Sequence, residues 1–269
     1  MSAPVTAQDG LAGFTSVINV YEHRIGHACR AVAFHLPELL KSLPSSGGTV
    51  LDNACGTGAA TEELLKRFPT AEIYAADVVL SMVQSFNAII ATKPELQSQV
   101  KEVRLEDAQS LTFADDTFDA SITNFGIFFL AGPPGGTAAV TLWKTFGFKP
   151  ILWEIQKQLQ PVNPLTELPL MEPWCNPALL ERTLKDGGFK QVSFTVVEEG
   201  LWGKDKDDFK LVLLENLSAL TARNWTEEER ATLPAMISRV VDEQQDNFCV
   251  TDGAKVGCMM EAWAAIATK

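Results

Sequence analysis

The stretch VLDNACGTG, Val50 to Gly58, decides the fold class of this chain. It begins as an apolar strand, passes an acidic residue and ends with two glycines, and the helical pattern AATEELLKRF follows at once. Glycine lacks a Cβ, so the backbone can turn sharply and a ligand can approach the main chain closely. The amides that open the next helix would face such a ligand. A short glycine turn is often only structural, so its interpretation depends on the neighbouring segments.

Short apolar segments alternate with helical patterns after this turn. The strand patterns are AEIYAAD, VKEVRLED and FDASITNF, and helical patterns cover Ala59 to Arg67 and about Leu80 to Ala91. Such alternation implies right-handed crossovers between parallel strands, with helices on both faces of the sheet. The sequence therefore predicts a doubly wound α/β domain, preceded by amphipathic helices between Phe14 and Leu43.

The composition narrows the class of partner. The net charge of −12 and the pI near 4.7 disfavour nucleic acid, because proteins that bind it usually present a basic face. The five cysteines form no CxxC pair and no Cys/His ligand cluster, which favours reduced thiols and no metal site. Neither a secretory signal nor an uninterrupted apolar run of membrane-spanning length is visible. We expect a cytoplasmic protein with a small-molecule substrate, as a monomer or homodimer.

Two carboxylates follow the next two strand patterns. Asp77 closes AEIYAAD and Asp107 closes VKEVRLED. The carboxyl ends of parallel strands meet at one edge of the sheet, and a carboxylate at the end of the second strand can accept hydrogen bonds from both hydroxyls of a ribose. Either residue alone could equally be a helix N-cap. Together with the glycine turn, they favour a cofactor that contains adenosine.

The segments VLDNACGTG, YAADVVLSM and EDAQSLTFADDTFD resemble the successive signatures of class I S-adenosylmethionine-dependent methyltransferases, of the small-molecule type related to ubiquinone-biosynthesis enzymes. The opening and closing segments resemble a fungal secondary-metabolite branch that includes thiol S-methyltransferases. The loop is too short for GxGxxG and lacks the GK[ST] of a P-loop. The resemblance implies a Rossmann-like sheet of seven strands, mostly parallel with the last strand antiparallel, plus N-terminal helices and a helical lid.

The resemblance also implies a division of one domain, residues 1–269, into three parts. Residues 1–45 would form an N-terminal helical cap, residues 46–143 the cofactor-binding half, and residues 144–269 the lid, the substrate-side helices and the closing strands. The implied reaction moves a methyl group from S-adenosylmethionine to O, N or S of a small metabolite by in-line displacement. Such a reaction depends mainly on positioning and the exclusion of water.

Residue roles at the first two strand ends follow from the same resemblance. Asp52 and the main chain through Ala54, Gly56 and Gly58 would hold the methionine end of the cofactor. Asp77 would bind the ribose hydroxyls. Ala54 departs from the family pattern, which usually has glycine at that position, and its methyl group would narrow the loop.

Further roles are implied around the adenine and the reacting atoms. Met82 would pack on the adenine, and Asp107 with the backbone of Ala108 would hydrogen-bond its edge. Asn124 and Phe125, at the end of the fourth strand, would face the sulfonium and the substrate.

The sequence gives weaker signals for catalytic and substrate-binding residues than for the cofactor site. The N-terminal helices of relatives close over the cofactor, so His23 beside Tyr21 is the candidate base, against the alternative of a polar outer helix face. Phe128, Trp153 and Trp174 are candidates for an aromatic substrate wall, because flat or apolar acceptors suit such walls. The alternative for all three is ordinary core packing.

One segment departs from the family in length. Between ASITNFGIFF and TAAVTLW only Leu130 to Gly136 remain, whereas a parallel crossover needs about a dozen residues. An unusual connection, a splice variant, a gene-model error and an engineered deletion all fit this observation. A second hypothesis follows, in which a methyltransferase-like protein transfers no methyl group and serves as a cyclase, a binding partner or a defective isoform.

Overall fold

The computed structural model describes residues 21–40, 43, 48–127, 137–159, 172–221, 225–243 and 245–268. One sheet contains the strands of this part of the chain: β1 Thr49–Asn53, β2 Glu72–Asp77, β3 Val100–Leu105, β4 Ala120–Asn124, β5 Thr137–Thr145, β6 Gln191–Gly203, β7 Val250–Asp252 and β8 Lys255–Thr268. Their order is β3-β2-β1-β4-β5-β8-β6, and β7 pairs with β8 outside this path.

The direction of the strands confirms the predicted fold class. The neighbours from β3 to β5 pair in parallel, and β8 pairs antiparallel with both β5 and β6. The main path therefore has seven strands with an antiparallel last strand. The short hairpin partner β7 is an addition that the sequence patterns did not indicate.

Helices surround this sheet. A π-helical turn, Glu22–Gly26, leads directly into α1. The α-helices are α1 His27–Ala33, α2 Leu36–Leu39, α3 Ala59–Arg67, α4 Leu80–Thr92, α5 Pro94–Gln99, α6 Lys149–Leu159, α7 Pro177–Asp186, α8 Lys206–Thr221, α9 Glu227–Glu243 and α10 Gln245–Phe248. A 3-10 turn, Glu172–Cys175, precedes α7. No helix in the described part of the chain is long and apolar enough to cross a bilayer.

Alternation along the strands divides the core between the two faces of the sheet, since successive side chains point to opposite sides. On β5, Ala138, Val140 and Leu142 pack with α7, whereas Trp143 packs with α1, α6, α8 and α9. The C-terminal half of the chain contributes α7 to one face of the sheet and α8 and α9 to the other. Asn176 caps α7 by accepting a hydrogen bond from the backbone N–H of Ala178.

The connection between β4 and β5 corrects the sequence prediction. We expected the fourth strand to run to about residue 129, but β4 ends at Asn124. Phe125 has φ +58°, a left-handed conformation that cannot continue a strand. Residues 125–136 are therefore available for the crossover, close to the dozen that a parallel pair needs. Residues 128–136 lie outside the described part.

Candidate active site

The glycine loop combines a fixed turn with an open side. Gly58 has φ +85°, and a Cβ at that position would overlap the ring of Phe86. Gly56 has φ +55°, but a Cβ there would have no atom within 4 Å. Gly58 is thus required by packing, whereas Gly56 leaves space beside the loop.

Ala54 occupies the strained first position of the same loop. Its φ is +57°, in the region that favours glycine. A Cβ on Gly126 would overlap the Cβ of Ala54, so the glycine after the fourth strand makes room for the alanine methyl group. Gly126 therefore accommodates the alanine that this chain has at position 54, where the family pattern usually has glycine.

Asp77 holds the loop to the end of β2. Its Oδ2 accepts a hydrogen bond of 2.8 Å from the backbone N–H of Gly56, and its Oδ1 accepts one of 2.8 Å from the N–H of Val79. Burial raises the pKa of this carboxyl group, and the backbone hydrogen bonds oppose that shift. The side chain is buried at the edge where the strands end.

Apolar side chains flank Asp77 at this edge. Val78, Leu80 and Leu105 are exposed, and Leu105 is the residue of β3 that pairs with Asp77. Met82 is buried in α4. A carboxylate set among exposed aliphatic groups suits a ligand that combines hydroxyls with a flat ring. These residues therefore fit an adenosine group.

Asp107 lies two residues beyond the end of β3 and is exposed, as the edge position requires. Its Oδ1 accepts a hydrogen bond of 2.9 Å from the N–H of Gln109, and its carbonyl accepts one of 2.9 Å from the N–H of Ser110. Ala108, half-buried, is inside this turn. Asp107 thus stabilises a turn of its own, whereas the alternative that we considered for it was the N-cap of a helix.

Asp52 lies under the first turn of α3. Its Oδ2 accepts hydrogen bonds from the hydroxyl of Thr61, at 2.6 Å, and from the backbone N–H of Thr61, at 3.2 Å. Oδ1 is buried without a hydrogen-bond partner in the described residues. Burial raises the pKa of Asp52 to about 6, although the hydrogen bonds from Thr61 lower it. Asp52 therefore fixes the helix that follows the loop.

The end of β4 is tied to its neighbours by a small network. The hydroxyl of Thr141 donates to Oδ1 of Asn124 at 2.6 Å, and it accepts from the N–H of Phe125 at 3.2 Å. Nδ2 of Asn124 donates to the carbonyl of Cys29 at 3.2 Å. The ring of Phe125 is buried and stacks on Trp143, with centroids 4.3 Å apart. Asn124 thus joins the sheet edge to α1.

The π-helical turn also contacts the glycine loop. The hydroxyl of Thr57 donates to Oε1 of Glu22 at 3.0 Å. Tyr21 lies just before this turn, and its phenol hydrogen-bonds the thiol of Cys29. Burial and the nearby Cys29 raise the pKa of Tyr21, so the phenol stays protonated near neutral pH. The π-helical turn and α1 therefore contact this edge of the sheet, whereas a cap formed by residues 1–45 stays a prediction.

His23 has both ring nitrogens engaged. Nδ1 lies 2.9 Å from Glu215 and Nε2 lies 3.2 Å from Asp208, both on α8. Partial burial would lower the pKa of His23, but the hydrogen bonds to the two carboxylates outweigh it and raise the pKa. This geometry stabilises the protonated ring and joins two helices. The role of His23 as a base stays a prediction that these contacts do not favour.

The other two histidines are also engaged. Nε2 of His27 accepts from the backbone N–H of Trp202 at 3.1 Å, and Nδ1 lies 3.1 Å from the carbonyl of Glu22. Nε2 of His35 lies 3.2 Å from Glu199.

The predicted aromatic wall is divided by the structure. Trp153 is 40% exposed on α6, with the ammonium of Lys149 4.8 Å from its ring centre. Trp174 packs with the core cluster on the opposite face of the sheet from that of α6. Phe128 lies outside the described residues. The substrate role of all three stays a prediction.

Several contributors were missed in the sequence. Thr61 holds Asp52, Thr57 holds Glu22, and Thr141 holds Asn124. The three threonines lie in a loop, a helix and a strand, so no shared local pattern marks them. Val78 and Leu80 carried a signal, since they belong to the apolar run Val78–Leu80, which directly follows a strand-ending aspartate.

Comparisons with known proteins agree with this geometry. A family profile described as "Methyltransferase domain" matches residues 50–142. Malonyl-[acyl-carrier protein] O-methyltransferase 2 of Ilyobacter polytropus is 25% identical over 217 residues, which are 77% of this chain and 78% of that protein. Acetylaranotin bis-thiomethyltransferase of Aspergillus terreus is 25% identical over 211 residues, which are 72% of this chain and 74% of that protein.

Among solved structures, the [4+2]-cyclase SpnF is similar with a TM-score of 0.53 and 16% identity, covering 98% of this chain and 97% of that chain. At this identity the likeness shows the fold alone. The profile match covers β1 to β5, where the glycine loop and the strand-end residues lie. Residues 50–142 therefore match a methyltransferase domain, and the chain as a whole is similar to S-adenosylmethionine-dependent methyltransferases.

Proposed function

We propose that the chain methylates a thiol sulfur of a small cytoplasmic molecule. The observation that carries this proposal is the state of its acid–base groups. All three histidines of the sequence are held by carboxylates or backbone groups, and the phenol of Tyr21 stays protonated. An alcohol needs a base to become a good nucleophile, whereas a thiol ionises near pH 8.5 and needs little help.

The cofactor-binding residues would act as follows. S-adenosylmethionine, when bound, supplies an electrophilic methyl group. Asp77 would accept the ribose hydroxyls, and the exposed apolar residues beside it, with Met82, would pack on the adenine. Asp107 and the backbone of Ala108 would contact the adenine edge. The open side of Gly56 would admit the methionine portion, while Asp52 and Gly58 keep the loop in shape and Ala54 lines it.

The residues near the reacting atoms would mainly position and enclose them. Asn124 at the end of β4 and the π-helical turn above the loop would keep water from the acceptor. The bound cofactor would supply its methyl group to the acceptor sulfur and would leave as a neutral thioether, while the thiol proton would pass to solvent. No step in this scheme requires His23 to accept a proton.

The relatives and the cysteines support the finer parts of the proposal. One curated relative is by its name a bis-thiomethyltransferase. All five cysteines are free thiols, which suits a reducing compartment such as the cytoplasm.

The test is a competition between matched acceptors. Purified protein receives S-adenosylmethionine with a labelled methyl group and pairs of small molecules that differ only in a thiol or a hydroxyl. We expect methyl thioethers, formed at an unchanged rate by His23→Ala. Preferential methylation of the hydroxyl partners, or of matched amines or carboxylates, would contradict the thiol assignment.

A further inference from the structure

β6 is a terminal strand of the sheet. It pairs with β8 on one side, and no strand of the described residues pairs with its other side. At the C-terminal end of the strand, His27 of α1 accepts a hydrogen bond from the backbone N–H of Trp202, so α1 covers that end. The first half of the strand is more open: Gln191, Ser193 and Thr195 are exposed.

The side chains of one face of this half form a self-complementary series. At every second position from residue 190 they are Lys190, Val192, Phe194, Val196 and Glu198. Lys190 and Glu198 are exposed and form no ion pair within the described part of the chain. Val196 is 39% exposed, which is unusual for an aliphatic side chain in a strand. We name these five residues the β6 stripe.

The β6 stripe matches a second copy of itself in antiparallel orientation. If Phe194 lies opposite Phe194 of the other copy, Val192 lies opposite Val196, and Lys190 lies opposite Glu198. Aromatic, β-branched and opposite-charge pairs are the favourable cross-strand combinations. The same alignment would supply hydrogen bonds to the open backbone groups on both strands.

The strand at the other end of the sheet shows the contrast. β3 has six residues, including Lys101, Glu102 and Arg104. Lys101 pairs with Glu72, and Arg104 pairs with both Glu102 and Glu106, so its charges are satisfied within the chain. Short, charged strands of this kind resist edge-to-edge pairing. β6 has thirteen residues and lacks these features in its first half.

We propose that two copies of the chain associate through the β6 stripe about a two-fold axis at Phe194. The two sheets then form one continuous sheet. The glycine loop and the ends of β1, β2 and β4 belong to the other part of the sheet, so both candidate active sites remain outside this interface.

Sedimentation velocity over about 1 to 100 μM, a range suited to a modest interface, tests the proposal. The 29.3 kDa chain should approach twice that mass as concentration rises. Lys190→Glu places two glutamates opposite each other at both ends of the pairing, and we expect the dissociation constant of the dimer to rise at least tenfold. Lys190→Glu combined with Glu198→Lys restores opposite charges and should restore the dimer.

A second pair of variants distinguishes loss of the β6 stripe contact from the general effect of adding a surface charge. Val196→Lys should give monomers, whereas Leu211→Lys, at an exposed position on α8, should leave the dimer intact. Thermal melts establish that each variant is folded. A monomer at every concentration, a double variant that stays monomeric, or equal effects of Val196→Lys and Leu211→Lys would each overturn the proposal.

Discussion

The parallel half of the molecule is β1 to β5 with the loops and helices between them. The antiparallel half is β8 and β6 with the helices that pack against them, and the two halves are specified in different ways. In the parallel half, the important contacts are local in sequence: Asp52 binds Thr61, and Asp77 binds Gly56. In the antiparallel half, partners are distant, as with His23 and Asp208. The glycine loop must hold its backbone in one shape, so the residues within and beside it are restricted to a few types. The N-terminal helices need only complementary side chains, and these can come from distant parts of the sequence.

The largest effect should follow removal of the strand-end carboxylate. We expect Asp77→Ala to weaken binding of S-adenosylhomocysteine about 100-fold, roughly 3 kcal/mol, because hydroxyl acceptors and the support of the loop are lost together. Isothermal titration calorimetry measures this. Asp242→Ala, at an exposed ion pair on α9, is the control in the other half and should bind normally. Unchanged affinity in Asp77→Ala would remove Asp77 from the cofactor site.

The two glycines of the loop should respond differently to alanine. Gly58→Ala should lower the free energy of unfolding by about 2 to 3 kcal/mol, because the new Cβ overlaps Phe86. Gly56→Ala should cost only about 1 kcal/mol of backbone strain, yet should weaken cofactor binding by filling the open side of the loop. Urea unfolding and calorimetry on both variants check the contrast. Equal destabilisation with equal affinity would show that both glycines are structural.

The antiparallel half should carry a modest pH dependence through His23. Its pKa is raised in the folded protein, so its stabilising contribution is fully present below about pH 6.5 and is lost as pH rises through the folded pKa. At 39% side-chain exposure, solvent screening limits the effect to about 1 kcal/mol or less. Urea unfolding at about pH 6 and pH 9 should give a smaller decline for His23→Gln than for the natural chain. Identical declines would contradict a stabilising ion pair.

The smallest effect should be a gain in stability at the first loop position. Ala54→Gly removes the strain of an alanine in the left-handed conformation. Glycine also makes the unfolded chain more flexible, which opposes folding, but this cost is smaller than the strain removed. We therefore expect about 0.5 to 1 kcal/mol of stabilisation. Ala231→Gly, exposed on α9 in the other half, should instead destabilise by about 1 kcal/mol. If Ala54→Gly also destabilises, the alanine methyl group contributes packing that outweighs its strain.

Much of the parallel half could be predicted from the sequence. Glycines and strand-ending aspartates are local signals, so the approximate positions of the first five strands along the chain and of Asp77 at a strand end followed from short segments. The end of β4 could not be predicted, because the left-handed Phe125 is held by Thr141 on the next strand. The pairing of His23 was equally hidden, since Asp208 and Glu215 belong to a helix that is remote in sequence. Long-range contacts leave no periodic signal.

The position of β8 has a consequence for synthesis of the chain. This strand, Lys255–Thr268, follows β5 and β6 in the described sequence, yet it lies between them in the sheet. Until the ribosome has passed Thr268, the nascent protein holds two unfilled strand edges and an incomplete core. Chaperones would therefore be needed longest at this stage, when exposed edges favour aggregation. Translation speed over the codons of β8 should consequently affect the yield of folded enzyme more than speed near the glycine loop.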